Sequence, residues 1–290
     1  MAFQKQQHVL DKIVVPTDFS PESARAMGLA LAIARTRRQV TSVYAIDPFP
    51  YRFGPRQSSN RKRKQAFALA RERMVRWLHE NNFTGCDSRL IEGEPAPAVV
   101  KFASMKRAGL ILLATSARRH AARFLLGSVA EEVFRQVRCP VVVLGPKANF
   151  LMTSKSPCLV FATDLEPHSL SSLPQLSKIA SQLQAKILMI RAISRAVRSP
   201  RERSQLREET ERCFKSVVDQ NIRKRTKCIA VAFASPVNAI SAFARRVGAD
   251  AIVMGIRSGA DLTRARTHIP WTIAHRIIAS AKCPVVTLRG

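Results

Sequence analysis

The sequence predicts an α/β protein: two tandem doubly wound domains, each built on a five-stranded parallel sheet. Within each half, short β-branched runs alternate with stretches of helical period, the pattern of β-α units that close a parallel sheet. The halves also match one another in three ordered blocks, and such self-similarity sets domain organisation without outside knowledge. "IVVPTDFSPESA" (13–24) answers "LVFATDLEPHSL" (159–170), and "EPAPAVVKFASMKRAGLILLATS" (94–116) answers the stretch from Ser235 that runs on to "ADAIVMGIRS". "RCPVVVL" (138–144) answers "KCPVVTL" (282–288). Finally, 290 residues with 46% hydrophobic content are enough for two packed cores. The expected domains are residues 1–147 and 156–290, joined by a linker from Gly145-Pro146 to Ser156-Pro157.

In the first half the strands fall near Ile13 to Val15, Val40 to Ile46, Cys86 to Ile91, Leu110 to Leu113 and Val141 to Leu144. The first helix starts with Ser20 as N-cap and Pro21 at its first position, and places Ala24, Met27, Leu31 and Ala34 on one face. The second turns Phe67, Met74 and Leu78 inward. A later helix, following "ATSARRHAARFLLGS" (114–128), buries Val129, Val133, Phe134 and Val137.

Right-handed crossovers make such a sheet bind ligands outside the carboxyl ends of its strands, where strand order reverses. If strands one and four are neighbours, two loops flank that crevice: Pro16-Thr17-Asp18 and Ala114-Thr115-Ser116-Ala117. Asp18 accepts hydrogen bonds from a sugar or base, and Gly127-Ser128 presents backbone N–H groups at a helix N-terminus. The combination suits a nucleotide.

At these residues the chain resembles a tandem universal stress protein over nearly its whole length. The carrying features are "VVPTDFS", "LLGSVAEEVFRQVRCPVVVL" and the echo "AHRIIASAKCPVVTL". The resemblance implies the adenine nucleotide alpha hydrolase-like fold, pairing through the last strands into an intrachain pseudo-dimer, and a capacity to form homodimers. It also implies ATP or related adenine-nucleotide binding by a G-x-x-G, nine residues, G-[S/T] motif, with Mg only where ATP binds. Carried over by position, Pro16, Thr17, Asp18 and the backbone of Ala45 meet adenine or ribose, while Ala114, Ala117, Gly127 and Ser128 line ribose and phosphates.

The motif is altered here. Ala114 and Ala117 occupy both G-x-x-G positions, although the nine-residue spacing and Gly127-Ser128 are intact. Alanine keeps its N–H donor but disfavours a left-handed conformation or close backbone approach by roughly 1 to 2 kcal/mol. Binding weakened by about one order of magnitude follows, which Arg118, Arg119 and Arg123 can partly offset. In the second half Gly255 survives, but Pro270-Trp271-Thr272 stand where Leu126-Gly127-Ser128 stand in the first. An indole there crowds a phosphate approach, and Thr272 serves as a helix N-cap.

Asp18 and Asp164 read as ligand or cap residues, since neither has a local second carboxylate or His. Ser128 reads as a phosphate contact or cap, because no G-x-S-x-G surrounds it. The chain holds no Gly-x-Gly, which argues against a dinucleotide fingerprint or Walker loop. Six cysteines without a C-x-x-C pair fit reduced buried thiols, and six scattered histidines without H-E-x-x-H offer no metal site.

The net charge of +28 divides evenly: 25 Lys/Arg and 11 Asp/Glu in residues 1–150, 23 and 9 in the rest, +14 each. Its densest clusters are Arg61 to Lys64 and Arg223 to Lys227. Spread in this way, with only two Tyr and two Trp, it describes a generally basic surface rather than a dedicated nucleic-acid site. The N-terminus has no signal-peptide stretch and the longest uncharged run, Cys228 to Ala244, is broken by Pro236 and Asn238, so no membrane association is expected. The sequence thus predicts a cytoplasmic, non-enzymatic stress-response module with a nucleotide site in its first domain. A slow ATP hydrolase and a polyanion-binding protein are the rival classes.

Overall fold

A computed structural model describes residues 9–53, 55–115, 128–149, 156–194, 197, 199–256 and 269–289. Two compact units result, one made of residues up to 115 together with 128–139, the other of residues 140 onward.

In the first unit β1 (Ile13–Pro16), β2 (Val40–Ile46), β3 (Asp87–Glu92) and β4 (Leu110–Ala114) form a parallel sheet ordered β3-β2-β1-β4. The runs Ile13-Val14-Val15 and Leu110 to Leu113 are buried throughout, as parallel strands covered on both faces require. Right-handed crossovers put α1 (Pro21–Ile33) and α3 (Arg56–Glu80) on one face, and α4 (Pro95–Met105) and α5 (Ser128–Gln136), which pack together, on the other. A single turn, α2 (Phe49–Arg52), precedes α3.

Ser20 caps α1 as expected, accepting a bond from the Ser23 N–H, with Pro21 behind it. The buried stripe of α1 differs from the expected one. It runs through Ser23, Ala26, Met27 and Ala30, while Ala24, Leu31 and Ala34 are half-buried, because the small residues let the helix approach β1 and β4 closely. In α3, Met74 is buried as expected and Phe67 and Leu78 only partly, while Trp77, not among the expected inward residues, is buried beside Met74. In α5, Val133 and Phe134 are buried and Val129 half-buried, and Val137, just past its end, is buried as well.

The second unit repeats the plan. β6 (Cys158–Ala162), β7 (Lys186–Ala192), β8 (Thr226–Ala232), β9 (Ala251–Ile256) and β10 (Val285–Arg289) are parallel in the order β8-β7-β6-β9-β10. Helices α6 (Pro167–Leu170), α7 (Leu173–Gln182), α8 (Pro200–Val217), α9 (Gln220–Arg225), α10 (Pro236–Arg246) and α11 (Ile269–Ser280) fill the crossovers. Pro opens α1, α4, α6, α8 and α10, where its missing N–H is no loss.

The last strand of the first half, β5 (Val141–Leu144), groups with this second unit. It pairs antiparallel with β10, Val143 opposite Val285 and Val141 opposite Thr287, so the two last strands meet as the sequence led us to expect. Gly145 presses so closely on α11 that an added Cβ would lie 1.9 Å from the Ile278 carbonyl oxygen, and the Asn149 N–H donates to Lys282 O. These contacts hold β5 and the start of the linker in the second unit.

Candidate functional site

The carboxyl end of the first sheet gathers the predicted residues. Strand order reverses between β1 and β4, with Ile13 opposite Leu110 and Val14 opposite Ile111. From those pairs β1 runs on to Pro16 and β4 to Ala114, both ending at the carboxyl side of the sheet. The Thr17 N–H donates to Val43 O at 2.9 Å, and the Gly93 N–H donates to Ile46 O on the far side of β2. Because peptide groups alternate along a strand, Ala45 turns its N–H and C=O to the β1 side, beyond the point where β1 ends. Pro16, Thr17, Asp18, Ala45 and Ala114 therefore all lie at the carboxyl ends of the adjacent strands β1, β2 and β4. Ala117 and Gly127 lie outside the described residues. Ser128 opens α5, and its side chain is likewise outside the description.

The turn after β1 is tightly built. Buried Thr17 uses its hydroxyl internally, bonding Ser23 Oγ at 2.9 Å and accepting from the Phe19 N–H at 2.9 Å. Asp18 is exposed, and its Oδ1 accepts from the N–H and hydroxyl of Ser20. Partial burial works against its charged form, yet the bonds from the Ser20 hydroxyl and N–H, with help from Ser23, outweigh it and hold the carboxyl below its usual pKa. The group is a fixed anion whose position is set by α1.

Phe19 adopts φ +65°, the left-handed region that a phenylalanine rarely enters. Its ring lies 4.5 Å from that of Tyr44 and 4.8 Å from the guanidinium carbon of Arg73, contacts that offset the strain.

The second half builds the same turn from different residues. Thr163 bonds Ser169 at 2.9 Å and accepts from the Leu165 N–H, Leu165 has φ +67°, and Asp164 accepts from the Glu166 N–H and the Ser169 hydroxyl. The serines six residues after each Thr were not singled out from the sequence, though the internal repeat signals them: Thr17 and Ser23, Thr163 and Ser169. Gly255, aligned with Ala114, lies against α6; a Cβ there would come within 2.7 Å of the Ser169 Cα. This glycine serves helix-to-strand packing. Trp271 and Thr272 have side chains outside the described residues.

Among the described residues no group of His, Cys, Asp and Glu is arranged to hold a metal ion, and no helix is long and apolar enough to cross a membrane. Among the described cysteines, Cys158 and Cys283 are buried, Cys86, Cys139 and Cys213 are partly exposed, and none of these five is in a disulfide.

The universal stress protein family model matches residues 10–145 and 159–289, so it covers both halves of the repeat. The chain belongs to the universal stress protein family. This universal stress protein is 33% identical over 145 residues to a universal stress protein of Methanocaldococcus jannaschii, covering 48% of this chain and 84% of that one. Among solved structures, a universal stress protein from Archaeoglobus fulgidus superposes with a TM-score of 0.66 at 16% identity, covering 96% of this chain and 98% of that one, which shows the shared fold. A second one from Archaeoglobus fulgidus, solved in complex with dAMP, covers 46% of this chain and 98% of that one, with 17% identity and a TM-score of 0.34.

Proposed function

We propose that the first half holds an adenine nucleotide weakly at the carboxyl ends of β1, β2 and β4. In this reading the protein is a cytoplasmic, non-enzymatic stress-response module whose second half is chiefly structural. The observation that supports it best is that the Thr17–Asp18 turn and Ala114 stand at the carboxyl ends of the neighbouring strands between which strand order reverses, the Ala45 backbone turned to the β1 side. Open α/β sheets take their ligands at such a place.

The residues present fit the sugar and base. Asp18 supplies an exposed carboxylate, ionised at neutral pH, to accept from a ribose hydroxyl or adenine amine. Ala45 supplies backbone donor and acceptor, while Thr17, whose hydroxyl is engaged in the turn, sets the geometry. Pro16 and Ala114 form the floor. The phosphates of ATP, with Mg, would fall to Ala117, Gly127 and Ser128 of the loop after β4. A carboxyl held below its usual pKa is a poor proton acceptor at neutral pH, which favours binding over general-base chemistry at Asp18.

Calorimetric titration with ATP and AMP at near-physiological salt tests this reading. The natural protein should bind weakly, Asp18→Ala should bind less tightly, and Ala114→Gly with Ala117→Gly should bind about tenfold more tightly. Absence of binding in the natural protein, with or without recovery in the glycine variant, would overturn it.

A further inference from the structure

The segment 49–64 carries six Lys/Arg and no acidic residue, and it also exposes two aromatic rings. Phe49 is 70% and Phe53 74% exposed, while Tyr51 between them is only 6% exposed, packed with Ile46 and Ala70. The inward tyrosine anchors α2 on the sheet and α3, so the two phenylalanines project outward from a fixed base. Their rings stand edge to face with centroids 6.0 Å apart, and the guanidinium carbon of Arg52 lies 5.9 Å from the Phe53 ring. Along the first turns of α3, Arg61, Lys62 and Lys64 are exposed, while Arg63 is held by Glu92 through a 2.7 Å ion pair.

We propose that this α2–α3 surface binds single-stranded nucleic acid. Exposed rings flanked by cations meet both needs of that ligand: bases stack on the rings whatever their identity, and Arg52, Arg61, Lys62 and Lys64 attract the phosphates. A duplex keeps its bases stacked and offers the rings nothing. A lipid surface fits less well, because an interfacial helix buries a broad apolar face. Here the start of α3 exposes Gln57, Ser58, Asn60 and Arg61 instead. The charge count taken from the whole sequence misses this site, since the aromatic residues involved are phenylalanines whose exposure only the fold decides.

The test is fluorescence anisotropy with a labelled 12-nucleotide single-stranded RNA and DNA of mixed sequence. A duplex of the same length, heparin, and vesicles containing phosphatidylserine serve as comparisons. The full-length protein should bind the single strands in a salt-dependent way. Phe49→Ala with Phe53→Ala should weaken single-strand binding at least about tenfold while leaving heparin affinity within about twofold. Arg61→Gln, Lys62→Gln and Lys64→Gln together should weaken both ligands and flatten the salt dependence. All the substituted side chains are exposed, and unchanged circular dichroism would verify folding. The proposal is overturned by failure to bind single strands, by equal loss of heparin and single-strand binding in the phenylalanine variant, or by vesicle binding that depends on the rings while oligonucleotide binding does not.

Discussion

Gly255 and Ser169 are in backbone contact: a Cβ on Gly255 would sit 2.7 Å from the Ser169 Cα and 2.9 Å from its carbonyl oxygen. The third obstructing atom, Ser172 Oγ at 2.8 Å, can rotate away, but the two Ser169 atoms are backbone and can yield only if α6 itself moves. Gly255→Ala should therefore destabilise the protein by about 1–3 kcal/mol, as overpacking does, measured as a lower urea midpoint with an unchanged slope. An unchanged midpoint would mean that α6 moves aside freely.

Arg107 and Gly248 end corresponding helices in the same left-handed conformation, with φ 50° and 62°. Both helices close with the same bond pattern, Ala108 N–H to Ala103 O in one and Ala249 N–H to Ala244 O in the other. The second half thus shows which residue the first would accept. Arg107→Gly should raise stability by about 1 kcal/mol through relief of the left-handed strain, read from the denaturation midpoint.

The Asp18 carboxyl titrates below its unfolded value, so its bonds to Ser20 stabilise the fold while it is ionised. That contribution is complete above the unfolded pKa of about 4 and disappears as pH falls through the lower folded value. Asp18→Asn should accordingly lower the melting temperature at pH 7 by more than at pH 3. Parallel melting curves for the natural and variant proteins between these limits test the sign. Glu92, lowered mainly by the hydrogen bond from Arg63, should behave in the same direction on Glu92→Gln.

Burial pushes the Cys283 thiol up to about 12, with the Asp250 carboxylate adding to it, and burial also raises Cys158. Thiolate is the reactive form, so both should resist a disulfide reagent at pH 8 in the native protein and react once it is unfolded. Mass mapping of the labelled cysteines separates them from the half-exposed Cys213.

The sequence by itself determined what repeats and periods encode. Apolar runs such as Leu110 to Leu113 and Val141 to Leu144, short and alternating with stretches of helical period, read as buried strands, and the doubled Thr-Asp turn marks where each half begins its first crossover. It also pointed Pro16, Thr17, Asp18, Ala45 and Ala114 to one expected crevice on the condition that strands one and four are neighbours, a strand order that the fold supplies. Other facts depended on contacts between residues far apart in the chain. The grouping of β5 with the second unit follows from its hydrogen bonds to β10 and from the close fit of Gly145 on Ile278. The packing role of Gly255 requires the backbone of Ser169, 86 positions earlier, to arrive within van der Waals range. The outward turn of Phe49 and Phe53 around an inward Tyr51 has the same origin: a four-residue helix has no period long enough to reveal its buried side, and only the surface it packs on decides which rings meet water.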